Sequence, residues 1–161
     1  MENFSQKLVK KLIEQNKTIS FMESCTGGFL TSEITNIEGS SNVLKVGLIT
    51  YSTEYKIKFG VSRNIIDEYS VYSINTAKEM AKNVSNFANS DIGVGITGEL
   101  AEKSSNEVYY AIYIKENDLY IENKIKVNGK TRQEKKKEVA MNVLKDILDN
   151  IWKEKWIRWK T

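Results

Sequence analysis

The stretch Ile19-Ser-Phe-Met-Glu-Ser-Cys-Thr-Gly-Gly28 decides how this chain is read. A short apolar run ends at Ser24, and Thr26, Gly27 and Gly28 then open onto Phe29-Leu30 and a helical pattern. That order predicts a strand, a tight turn and a helix start. The turn offers a hydroxyl beside backbone N–H groups that a helix start leaves unpaired, where the helix dipole favours negative charge. The chain has no histidine. A serine nucleophile here must therefore find another base, and lysine is the leading candidate.

Outward from that turn, the apolar spacing lays out the rest. Phe4, Leu8, Leu12 and Ile13 predict an opening amphipathic helix. Residues 18–22 read as the first strand, and residues 29–37 as a helix closed by Gly39-Ser-Ser41. The run Val46-Gly-Leu-Ile-Thr-Tyr51 is nearly all apolar, the pattern of a strand covered on both faces. A short helix over residues 65–69 precedes a longer one capped by Ser73, with Ala77, Met80, Ala81, Val84 and Phe87 on its buried face. Ile92-Gly-Val-Gly-Ile-Thr97 is a strand whose glycines mark a close approach of another backbone or a ligand. Residues 108–114 and 119–127 alternate like an antiparallel hairpin around Lys115-Glu-Asn-Asp118. Thr131 begins a last helix whose stripe runs from Val139 to Ile151. Helices alternating with strands, then a hairpin, predict a three-layer α/β/α sandwich on a mixed, mainly parallel sheet, one domain over residues 1–161.

Composition narrows the function classes. With 161 residues, 40% hydrophobic and 28% charged, the chain can bury a proper core. A net charge of +3 is too small and dispersed for a nucleic-acid footprint, though it suits a small anionic substrate. The lone Cys25 forms no intramolecular disulfide, and no apolar stretch approaches the roughly 18 residues of a membrane span. A cytoplasmic enzyme or binding protein is expected. Without histidine the usual zinc sets are nearly excluded, and no cofactor is called for.

Three strand ends carry chemistry-bearing residues: Ser24, the segment Tyr51-Ser-Thr-Glu-Tyr-Lys56, and Thr97-Gly98. In an open α/β sheet, ligands bind beyond the carboxyl ends of the strands, so these points are expected to share one cleft. Taken singly, each residue has a plainer reading. Ser24 and Thr26 cap the following helix, Lys56 is a solvated lysine, Tyr51 packs with its hydroxyl at the surface, and Cys25 is a small buried thiol.

Together, Glu23-Ser-Cys-Thr-Gly-Gly28, Gly39-Ser-Ser41, Thr50-Tyr-Ser-Thr-Glu-Tyr-Lys56 and Ile96-Thr-Gly98 resemble the CinA C-terminal domain family, in the same order along most of the chain. The full string through Gly28 reverses the capping reading of Ser24. The resemblance implies an amidohydrolase of the PncC type, which converts nicotinamide mononucleotide to nicotinate mononucleotide and ammonia. It implies Ser24 as nucleophile, Lys56 as its base, and Tyr51 orienting either by hydrogen bonding. The amides of residues 25–28 (Thr26, Gly27 and Gly28 among them), with Thr97 and Gly98, are candidates to hold an oxyanion or phosphate. The partner implied is this small nucleotide, with neither membrane nor nucleic acid, and family analogy adds a homodimer.

The chain also departs from the family. Where relatives carry a proline- and glycine-rich loop after Ile-Thr-Gly, this chain has Glu99-Leu-Ala-Glu-Lys-Ser-Ser-Asn-Glu107, whose carboxylates would repel an anion. Gly129-Lys-Thr-Arg132 loosely matches a second family stretch; it makes Arg132 a phosphate-contact candidate or part of a solvated face shared with Lys136. Two rivals follow: a binding module that kept the pocket without turnover, and an accessory protein for DNA uptake or repair. The three tryptophans of the tail Trp152-Lys-Glu-Lys-Trp-Ile-Arg-Trp159 would suit a partner subunit or a membrane surface, but the plainer expectation is that the tail docks back onto the sheet as the end of a helix.

Overall fold

The computed structural model describes residues 3–151; the tryptophan-rich tail lies outside them. The motif strand β1 (Ile19–Glu23) is an interior strand with neighbours on both edges and helices over both faces, and all five of its residues are buried. The other strands are β2 (Leu44–Ile49), β3 (Ile92–Gly98), β4 (Glu107–Ile114) and β5 (Leu119–Lys126), in the order β2-β1-β3-β4-β5. β1 pairs parallel with β2 and β3, while β3–β4 and β4–β5 pair antiparallel. Two reversals return β5 to the direction of β3, so β4 alone opposes the other strands.

Alternation along the strands divides the two faces. Ile19 and Phe21, Val94 and Ile96, and Tyr110 and Ile112 pack under α1 (Phe4–Gln15), α2 (Phe29–Thr35) and α6 (Arg132–Asn150). Met22 turns the other way, onto Met80 and Val84 of α5 (Ile74–Ala88). Each such side chain contributes about 1.5–3 kcal/mol by leaving water. Asn3 and Thr131 start α1 and α6 with reciprocal capping boxes, and the Ser73 hydroxyl caps α5 as expected.

The glycines of β3 do what the sequence foretold. A Cβ on Gly95 would run into the Ala77 carbonyl and come within 2.7 Å of the Met80 Cβ, and one on Gly93 would meet the Ala81 carbonyl. Their absence lets α5 lie directly on the strand. The short helices α3 (Thr53–Lys58) and α4 (Arg63–Tyr69) lead from β2 to α5.

Two expectations need correction. The apolar run in β2 belongs to an edge strand whose residues are half-buried or exposed; Ile49 is 57% exposed and Tyr51 follows the strand. Phe87 keeps the helical spacing of α5 but leaves the core, 63% exposed and edge-on to Phe59.

Candidate active site

The site begins where β1 ends. The Ser24 N–H continues the ladder to the Ile96 carbonyl, and the chain then turns through Gly27 and Gly28, both at positive φ (58° and 96°). Two successive left-handed residues are cheap only for glycine. The turn is fastened from beneath by Glu23. Its buried carboxylate accepts the hydroxyls of Thr26 and Thr31, both at 2.6 Å, and the amides of Leu30 and Thr31, both at 3.0 Å. Four donors satisfy a charge that would otherwise be costly to bury.

Lys56 arrives from α3, which Ser52 starts by accepting the Tyr55 amide. Its side chain is 2% exposed, and its Nζ lies 2.8 Å from Ser24 Oγ, 2.8 Å from the Thr50 carbonyl and 3.2 Å from that of Tyr51. Among the described residues no carboxylate pairs with it. Burial without a counter-ion lowers its pKa to about 8. As a neutral amine, Lys56 can donate one N–H to each carbonyl and turn its lone pair to the Ser24 hydroxyl. That is the arrangement a lysine base needs to take a proton from serine.

A pocket of about 220 Å³ opens over this pair. Its lining joins Ser24, Cys25, Thr53 and Lys56 to Val71, Tyr72 and the segment Gly98–Ala101, with Tyr51 and Arg132 also contributing. Burial pushes the Cys25 thiol up to about 12, so it stays protonated and a poor nucleophile. The Tyr72 hydroxyl is raised as well, first by burial and then by the nearby Glu99 carboxylate.

The expected residues divide into those that reach the pocket and those that build it. Ser24, Tyr51, Lys56, Gly98 and Arg132 line it. Tyr51 meets Lys56 and Ser24 through its carbonyl, while its hydroxyl accepts from Arg132 at 3.1 Å. Thr26 and Thr97 do not line the pocket, because their hydroxyls are already engaged. Thr26 donates to Glu23, and Thr97 donates to the Val71 carbonyl at 2.9 Å, tying down the segment before α5. The Gly27 amide is taken by the Ser24 carbonyl at 3.0 Å, and Gly28 supplies the bend that starts α2. Lys136, on the same helix as Arg132, hangs over Gly27.

Sequence reasoning assigned no task to two buried charges. Glu23 stood inside the quoted motif, where a carboxylate followed by threonines three and eight positions on was the available signal. Lys135, 5% exposed, donates to the carbonyls of Leu100 and Ala101 at 3.2 and 3.4 Å and so holds the far wall. In the run Lys135-Lys-Lys137 only the phase of the α6 stripe distinguishes it.

No helix among the described residues is long and apolar enough to cross a membrane. The family model described as the CinA C-terminal domain matches residues 1–151. A CinA-like protein of Thermosipho melanesiensis is 35% identical over 156 residues, covering 91% of this chain and 38% of that protein. A relative from Alkaliphilus metalliredigens is 43% identical over 114 residues, 66% of this chain and 28% of its own length. The chain thus spans less than two-fifths of these relatives. Among solved structures, a CinA superfamily protein of Escherichia coli superposes with a TM-score of 0.84 at 26% identity, covering 91% of this chain and 88% of that one. The competence damage-inducible protein A of Klebsiella pneumoniae shares the fold at a TM-score of 0.86 and 19% identity, covering 94% and 100%. Over residues 1–151, from its first helix to its last, the protein is a member of the CinA C-terminal domain family.

Proposed function

We propose that the protein is an amidohydrolase that converts nicotinamide mononucleotide to nicotinate mononucleotide and ammonia. The observation that carries this reading is the 2.8 Å contact between Ser24 Oγ and the buried, counter-ion-free Lys56 Nζ. Ser24 Oγ attacks the carboxamide carbon as its proton passes to Lys56. The tetrahedral intermediate then expels ammonia, Lys56 returning the proton to the departing nitrogen. Water, deprotonated by the same amine, cleaves the resulting ester, releasing the carboxylate and restoring Ser24.

The Cys25 amide directly follows the nucleophile at the pocket edge and is the candidate donor to the oxyanion. Loss of one such donor costs about 2.7–4 kcal/mol of barrier stabilisation. The pocket volume supports a substrate only partly enclosed. At about 220 Å³ it falls below the roughly 300–1,000 Å³ of pockets that engulf a drug-sized ligand. It suits a ring and its carboxamide, with the sugar and phosphate running out past Tyr51 to Arg132.

Ammonia release from nicotinamide mononucleotide tests the reading in wild type, Ser24→Ala and Lys56→Ala. Turnover is expected in wild type alone. Activity surviving Ser24→Ala would end the covalent mechanism. Ligand binding without turnover in wild type would favour the binding module.

A further inference from the structure

The pocket over Ser24 has a carboxylate in its lining. Of the acids in the segment after β3, only Glu99 reaches the pocket. Glu107 is engaged by Lys124 at 3.3 Å and by the Tyr109 hydroxyl at 3.1 Å, and Glu102 is exposed outside the lining. Glu99 keeps free acceptor capacity, since its one side-chain bond is from the Ser105 hydroxyl at 3.2 Å. It does not pair with Arg132, although both groups line the same small pocket.

Its backbone is held rather than loose. The Glu99 amide bonds the Glu107 carbonyl at 3.2 Å, and the next two carbonyls accept from Lys135. Leu100, 2% exposed, roots the segment in the core. The carboxylate is therefore presented from a fixed wall, the preorganisation that ligand selection needs. Beside it stand the rings of Tyr72 and Tyr51, whose faces attract cations.

We infer that Glu99 is a specificity-determining residue that selects a cationic ring next to the scissile carboxamide, while Arg132 receives the anionic end of the same molecule. This rests on the amidohydrolase reading and adds to it a reason for a carboxylate in a site that must also accept a phosphate. The two charges line one pocket without pairing, so the ligand they fit is a zwitterion whose cationic ring meets Glu99 and whose anion meets Arg132. A unit charge a few ångströms from a carboxylate, at an effective dielectric between that of bulk water and that of a protein surface, gains about tenfold in affinity over a neutral ring.

Nicotinamide mononucleotide and its 1,4-dihydro form test this, because they share the phosphate and carboxamide and differ in the charge of the ring. Affinities are measured by calorimetry in Ser24→Ala, which prevents turnover, and in Ser24→Ala with Glu99→Gln or Glu99→Asp. The expected result is an approximately tenfold preference for the cationic ring, retained with aspartate and abolished with glutamine, with little change for the neutral form. A preference unchanged by Glu99→Gln overturns the inference. So does an equal weakening of both ligands, or the lack of any preference in Ser24→Ala alone. Ammonia release by wild type together with an unchanged preference defeats this inference alone; no ammonia release defeats the reading beneath it.

Discussion

On one side of the pocket, Ser24 and Lys56 sit on segments knotted into the sheet: four bonds to Glu23 beneath the turn, two carbonyls around the amine. On the other side, Glu99 and Ala101 ride a segment between strands, fastened by the Lys135 ammonium and the Glu99–Glu107 backbone bond. Chemistry demands a fixed donor–acceptor geometry, so its supports are buried and many. Under the proposed function, a wall that only selects the ligand needs its backbone anchored and little more.

The sharpest way to break this contrast is at the amine. Lys56→Met should lower ammonia release by about 1,000-fold, within the range a positioned general base supplies. Wild-type activity should rise with pH through about 8 as Lys56 loses its proton, and the residual activity of the variant should be flat there. The stability sign follows from the same burial. The folded chain releases this proton near pH 8 and the unfolded chain near 10.5. Unfolding takes up a proton between those values, so wild type should gain stability with rising pH across that window. Lys56→Met should lack that slope, as denaturant midpoints at the two ends of the window would reveal.

Glu23→Ala should come next in size. It strips two hydroxyls and two amides of their shared acceptor, at a cost of about 3 kcal/mol in chemical denaturation. Glu23→Gln, which keeps one acceptor oxygen, should lose less. A neutral outcome for Glu23→Ala would show that the two sides are not fastened so differently. Lys135→Met acts on the selecting wall. It should raise KM about threefold to tenfold and cost about 1 kcal/mol of stability, leaving kcat within about twofold. A collapse of kcat would mean that this wall takes part in the chemistry. The smallest effect is expected for Thr97→Val, which removes only the bond to the Val71 carbonyl. It should cost about 1 kcal/mol or less in denaturation, with a slight rise in KM from the loosened Tyr72 segment.

Legibility in the sequence followed the kind of atom involved. The strand-turn-helix around Ser24, the Ser73 and Thr131 caps, the hairpin and the family fold were readable because side-chain patterns encode them. Lys56 was readable from its motif, not from its surroundings. Main-chain groups left no trace: the Tyr51 and Thr50 carbonyls that hold the amine would look the same under any side chain. The engagement of the Thr26 hydroxyl by Glu23 and of the Thr97 hydroxyl by the Val71 carbonyl was not readable, because a hydroxyl near a glycine turn serves a ligand or a neighbouring protein group equally well. β2 misled for a topological reason. A strand with one free edge can be as apolar as a central one, and only the order of strands tells them apart.

The two methyl groups missing from β3 reach further than the core they keep thin. Gly95 faces the turn of α5 that contains Ala77, one turn beyond the Ser73 cap and the strap bearing Val71 and Tyr72. One added carbon at that strand position would prop the helix outward and carry the strap with it. The width of the pocket mouth is thus tied to the missing side chain of a residue deep in the sheet.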